Sequence, residues 1–118
     1  MGGYRNLKIW QDGIELTILC YEATSKFPKS EIYGLISQIN RAAVSIPANI
    51  AEGYGRNSNK EFIQFLYIAL GSCNELDTLF TIAKELKYIS QIEFDCLDKI
   101  RKPLSRMISA LINNRKAK

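Results

Sequence analysis

Apolar residues recur along this chain at steps of three and four, the period of a helix face rather than of a strand. The first such segment covers residues 7–26, with Leu7, Trp10, Ile14, Ile18 and Tyr21 on one face. Phe27-Pro28 ends it, because the residue before a proline is pushed out of helical geometry. The second covers residues 30–53. Ser30 stands where an N-cap belongs, and Ile32, Leu35, Ile36, Ile39, Ala43, Ile46 and Ile50 form the stripe. Pro47 lies inside that stripe, which continues past it, so the spacing predicts one kinked helix rather than two. Gly53 and Gly55 then stop the helix.

The third segment, 58–87, opens on an S-x-x-E capping box from Ser58 to Glu61. Phe62, Phe65, Leu66, Ala69, Cys73, Leu76, Phe80, Ala83 and Leu86 continue it. The fourth, 90–113, opens on a second box from Ser90 to Glu93 and carries Ile92, Cys96, Ile100, Leu104, Met107, Ile108 and Leu111, with a bend expected at Pro103. No apolar/polar alternation of period two appears.

Four long segments with short links predict an all-α fold, an up-down-up-down four-helix bundle, in a single domain covering 1–118. Gly13, Gly34 and Gly71 fall inside helices, where glycine costs about 1 kcal/mol relative to alanine, and so imply close helix approach. Apolar residues outside the main stripes, such as Leu16, Leu19 and Ala23 or Leu70, Leu79 and Ile82, exceed what a 13.4 kDa bundle can bury, which predicts a homo-oligomer.

Composition narrows the function classes. No apolar run approaches the roughly 18 residues of a membrane span, and the opening MGGYRNLKIW has no apolar leader region, so a soluble cytoplasmic protein is expected. Cys20, Cys73 and Cys96 are far apart and there is no histidine, which argues against a Cys/His metal site and leaves the thiols as reduced, buried groups with no imidazole to activate them. Carboxylates such as Glu52 and Glu61 have no pairing pattern for acid–base work. No metal, no cofactor and no enzymatic activity are expected.

Charge supplies the candidate site. From Ser90 onward, Lys99, Arg101, Lys102, Arg106, Arg115, Lys116 and Lys118 face only Glu93, Asp95 and Asp98, an excess equal to the whole net charge of +4. Lys99, Lys102 and Arg106 are spaced to share a helix face, a strip able to neutralise a phosphate backbone. Solvated i,i+4 pairs, Asp95 with Lys99 and Asp98 with Lys102, are the alternative. A second candidate is the turn Gly53-Tyr54-Gly55-Arg56 with Lys60, where free backbone donors and two cations suit an anion. The alternative there is a simple helix stop, with the Ser58 cap already filling the donors. The spacing is not that of a nucleotide-binding phosphate loop. Arg41, Ser45, Asn49 and Glu52 lie along one side of the second helix, as an RNA contact by Arg41, a polar seam between subunits, or ordinary surface; Ser45 or Asn49 could serve polar groups near the carbonyl of Ala43 that Pro47 frees. Tyr4, Tyr33, Tyr54, Tyr67 and Tyr88 are candidate stacking groups, though tyrosines more often pack their rings.

Ile9-Trp10-Gln11, the run SQINRAAVSIPANIAEGYGR from Ser37 to Arg56, and SNKEFIQFLYIALGSCNEL after it resemble the four-helix-bundle proteins encoded by intervening sequences of bacterial 23S ribosomal RNA genes. The accessory variability-determinant proteins of diversity-generating retroelements are similar. The resemblance spans about residues 7–112, the last helix mainly by pattern. It implies a ring-shaped homopentamer without enzymatic activity and, on the accessory branch, contacts to nucleic acid and to a reverse transcriptase through basic surface. Two function classes follow. One is a non-catalytic binder of structured RNA or other nucleic acid through Arg41, Arg56, Lys60, Lys99, Lys102 and Arg106. The other is a protein-interaction scaffold or reverse-transcriptase accessory protein that touches nucleic acid only incidentally.

Overall fold

A computed structural model describes residues 3–118; Met1 and Gly2, the first residues of the expected leaderless terminus, lie outside it. Four helices follow in order: α1 (Lys8–Thr24), α2 (Leu35–Tyr54), α3 (Asn59–Glu85) and α4 (Gln91–Lys116). Among the described residues there is no strand, and no helix is long and apolar enough to cross a membrane. Each helix packs on its sequence neighbour and α1 closes the ring on α4, while α2 and α4 make no contact and so lie on the diagonal. This is the expected up-down-up-down bundle, 45 Å long, as helices of this length require at 1.5 Å per residue.

The core is one cluster running from Ile9, Leu16 and Cys20 through Ile39, Ala43, Ile46 and Ile50 to Leu66, Cys73, Leu76, Phe80, Leu104, Ile108 and Ile112. Helices α2 and α3 bury most of the residues their stripes predicted. Helices α1 and α4 do not. On α1 the buried face is Ile9, Gly13, Leu16, Cys20 and Thr24, while Ile18 and Tyr21 are half exposed. Gly13 marks a close helix approach, as expected, and Thr24, outside the expected stripe, is a contact point too. A Cβ on Gly13 would stand 3.2 Å from the Pro47 ring, and Thr24 shares hydrogen bonds with Asn40. On α4 the buried face is Leu97, Asp98, Arg101, Leu104, Ile108 and Ile112, and Ile92 is 76% exposed. A charged pair inside the core displaced the apolar phase.

Leu16 and Leu79, counted above as surplus, belong to this core; Leu19, Ala23 and Leu70 are partly buried against it, and Ile82 is exposed. Cys20 and Cys73 are buried free thiols as expected, but Cys96 is exposed. Of the three helix glycines, Gly34 precedes α2 and Gly71 has no neighbour at all.

Helix starts follow the capping rules unevenly. Ser90 and Glu93 form a full capping box, and Ser58 accepts the Glu61 N–H, but the reciprocal bond from Glu61 is replaced by contacts to the Ser58 hydroxyl and Arg56. Ser30 does not cap α2. It sits in a short 3-10 turn, Lys29–Glu31; α2 begins four residues later than that cap implied, and the Glu31 carboxylate accepts the Leu35 N–H at 3.1 Å. The other Glu31 oxygen accepts the Tyr88 hydroxyl at 3.0 Å, tying together the two loops at that end of the bundle.

Helix α2 is continuous through Pro47, and α4 through Pro103. The Ala43 carbonyl that Pro47 leaves free accepts the Thr17 hydroxyl from α1 at 3.1 Å. Neither Ser45 nor Asn49 serves that carbonyl. Ser45 accepts from Asn49 and from Ser72 of α3, so this polar seam lies inside the bundle, between α2 and α3.

Candidate nucleic-acid interface

Helix α4 carries its cations on two sides. Arg101 points inward and is 6% exposed; its Nε donates to Asp98 at 2.7 Å and its second nitrogen lies 3.4 Å from Asp77 of α3. Burial opposes the charge on this guanidinium, but the bond to Asp98 and the charges of Asp98 and Asp77 outweigh it and raise its pKa above the ordinary arginine value. Arg101, counted among the basic residues of this helix but not in the strip, is therefore a structural cation. Asp98 is spent on Arg101 rather than Lys102, and Asp95 accepts from Gln91 rather than pairing with Lys99.

Lys99, Lys102 and Arg106 face outward, as their spacing predicted, and none makes an ion pair among the described residues. They diverge slightly. Lys99 borders a depression shared with Asp12 and Glu15 of α1, so acids stand near it. Lys102 lies toward α3 on the helical wheel, where the opposing flank of α3 offers Leu70, Asn74 and Asp77, the last already held by Arg101, and Arg106, two turns after Lys99, projects outward in nearly the same direction as Lys99.

The α2–α3 turn lies at the end of the bundle where α4 finishes. Gly53 is needed there: a Cβ would come within 2.6 Å of the Phe65 Cβ. Arg56 does not project freely as an anion ligand. It bonds Glu52 at 2.8 Å, reaches Glu61 at 4.0 Å, and lies over the Phe65 ring at 4.9 Å. Lys60, one turn into α3, is exposed and makes no ion pair among the described residues.

The end of α4 joins this turn. The Asn59 amide donates to the Arg115 carbonyl at 2.8 Å, and the Arg115 guanidinium covers the Phe62 ring at 5.1 Å. Beside them, Lys60, Gln64 and Tyr67 of α3 border one depression with Lys116 and Lys118 of α4. Spacing alone could not place Lys116 and Lys118 next to Lys60, because 56 or more residues separate them. The acid-free run after Asp98 was the available signal.

Lys60 and Lys102 thus share the α3–α4 side with Lys116 and Lys118, and Arg106 faces outward at its margin. Lys99 sits on the α1 flank, Arg56 is paired, and Arg41 is elsewhere. Arg41 projects from α2, on the diagonal from α4, beside a shallow depression bordered by Tyr21, Ile32, Tyr33 and Val44. Tyr4 packs on Trp10 and Tyr88 on Phe27, which removes both from the stacking candidates, whereas Tyr67 is 47% exposed.

The model of the 23S rRNA-intervening sequence protein family matches residues 5–110. A crystal structure of a protein of unknown function from the S23 ribosomal protein family of Bacteroides thetaiotaomicron superposes with a TM-score of 0.79 at 21% identity, over 88% of this chain and 97% of that one. At that identity the likeness concerns the fold. No curated protein matches the chain.

Proposed function

The chain belongs to the 23S rRNA-intervening sequence protein family, and we propose that it works without catalysis, as a homo-oligomeric bundle that holds structured RNA by its phosphate backbone. One observation carries this reading: α4 exposes Lys102, Arg106, Lys116 and Lys118 with no ion pair to any of them among the described residues, while Asp77 on the facing flank of α3 is already bound to Arg101. A solvated face normally interleaves both signs, and an uncompensated one attracts polyanions. Lys102, Lys60, Lys116 and Lys118 are the principal contacts, with Arg106 and Lys99 at the margin. Arg41 and Arg56 are secondary.

The non-catalytic part rests on chemistry. The chain has no histidine, and burial pushes the Cys20 thiol up to about 12 and the Cys73 thiol up to about 11, so neither is a thiolate nucleophile near neutral pH. Self-association is supported by Tyr21, Ile32, Tyr33 and Val44, a cluster of exposed apolar side chains around the depression on the α1–α2 side, which Arg41 borders and which lies away from the lysines of the α3–α4 side. Five is the copy number the resemblance implies; light scattering at micromolar concentration checks it, and a monomer mass contradicts it.

Binding to RNA and to DNA across a salt series tests the main reading. Affinity should fall on a log–log slope of about −0.7 to −0.9 per phosphate neutralised. Replacing Lys99, Lys102 and Arg106 with alanine should flatten that slope by two to three contacts at most, roughly one per phosphate-bound cation. An unchanged slope excludes the strip, and no binding at low salt favours a protein-docking scaffold.

A further inference from the structure

Tyr67 stands at the centre of the cationic α3–α4 side and is the one large aromatic there left half exposed. Lys60 and Gln64 precede it on the same face of α3, at seven and three residues. Its hydroxyl accepts a hydrogen bond from the Lys116 ammonium at 3.0 Å. The same nitrogen lies 5.6 Å from the ring centre. Those two distances place the ammonium beyond the hydroxyl, off the ring edge. The Lys116 ammonium therefore holds the hydroxyl without itself lying over either ring face.

Gly71 opens the next position. Side chains on a helix lean toward its N-terminus, so the residue four places after Tyr67 would lie against the ring. Here that residue has no side chain, and a Cβ built on it meets nothing within 4 Å. A glycine in a helix interior is unfavourable. No close helix contact accounts for this one, and it leaves the surface of α3 bare one turn after Tyr67.

We propose that Tyr67 is a stacking platform for one unpaired base of a bound nucleic acid, with Lys60, Lys116 and Lys118 neutralising the flanking phosphates. This rests on the nucleic-acid reading above and sharpens it, from backbone charge to a preference for unpaired strand. A free phosphate would use the ammonium groups but not the ring, and an apolar ligand the ring but not the ammonium groups. A nucleotide within a strand uses both. Bases inside a duplex keep their faces stacked on one another and cannot reach the ring.

The test compares a single-stranded oligouridylate with a fully paired RNA duplex of equal length, by fluorescence anisotropy. The protein variants are Tyr67→Phe, Tyr67→Leu and Gly71→Leu. Tyr67→Leu should weaken single-strand binding by about tenfold, within the range one base–aromatic stack is worth. Tyr67→Phe should retain it, and duplex affinity and the salt slope should not move in either. Gly71→Leu fills the space with a better helix former, so its loss of single-strand binding would not reflect unfolding. An oligonucleotide carrying 2-aminopurine should lose fluorescence on binding wild type but not Tyr67→Leu. Unchanged single-strand affinity in Tyr67→Leu, or equal losses for strand and duplex, overturns the platform while leaving the charge-based reading standing. A change in oligomer mass in Tyr67→Leu assigns the ring to self-association and also overturns it. Absence of binding to either probe at low salt removes both.

Discussion

Helix α3 has two seams, and they are built from different chemistry. Toward α2 the contact is uncharged and close: Gly53 against Phe65, Ala42 and Ala43 buried, and Ser72 donating to Ser45 at 2.9 Å. Toward α4 it is held by Arg101 between Asp98 and Asp77, and its outer edge carries lysines, Tyr67 and the bare Gly71. Small residues let backbones approach and leave no room for a ligand. Long charged ones keep the surfaces apart and leave polar groups at the rim. The same helix is therefore a structural member on one side and, on the other, the wall of the candidate site.

Removing the buried cation should break the second seam most severely. Arg101→Ala leaves the largely buried Asp98 carboxylate unpaired, and a loss of about 3–5 kcal/mol is expected in urea denaturation. Replacing Asp98 and Arg101 together by leucine should recover most of it, since the penalty lies in the uncompensated charge. A mild loss in Arg101→Ala would mean that water reaches Asp98.

Alkali should weaken the core that both seams share. Cys20 and Cys73 have thiol pKa values raised by burial from 9.0 to about 12 and about 11, and the bond to Glu31 raises that of Tyr88. For groups raised in the folded state, the stabilisation is full below the unfolded pKa and disappears as pH climbs toward the folded one. Stability should therefore fall above about pH 9, and a Cys20→Ala/Cys73→Ala variant, though less stable at neutral pH, should lose less over that range. Parallel curves for the two proteins would count against buried thiols as the cause.

The α2–α3 seam should tolerate little added volume. Gly53→Ala puts a methyl group 2.6 Å from the Phe65 Cβ, where backbone must shift, and about 1–3 kcal/mol should be lost. Ser72→Ala, which removes one neutral hydrogen bond from the same seam, should cost only about 1 kcal/mol. If Gly53→Ala proves neutral, the close approach is not what holds this seam.

The smallest expected effect is a gain. Lys87 has φ of 66° just past the end of α3, where the Tyr88 N–H bonds the Ala83 carbonyl. Glycine adopts that conformation without strain, so Lys87→Gly should raise the melting temperature, by at most about 1 kcal/mol in stability. A lower melting temperature would show that the Lys87 side chain matters more than its backbone.

Helix number, order and approximate ends were legible in the residues because they depend on local chemistry: a 3.6-residue apolar period, serine caps, and glycine and proline breaks. The stripes of α2 and α3 were legible for the same reason, since their buried residues are almost all apolar. The outward placement of Lys99, Lys102 and Arg106 followed from helical spacing alone. The buried faces of α1 and α4 were not legible, because Thr24, Asp98 and Arg101 are buried by virtue of partners on other helices, Asn40 and Asp77; the close approach at Gly13 was legible, but not that Pro47 is what it meets. The start of α2 likewise waited on Glu31, which reaches both Leu35 and Tyr88. Tertiary structure also decided which cations are available. It drew Arg101 into the core, laid Arg56 over the Phe65 ring of α3, set Arg41 on the far side, and brought Lys116 to Tyr67 across 49 residues. A sequence records how many charges a helix carries. Whether each is spent inside or offered to a partner depends on distances that arise only when the helices meet.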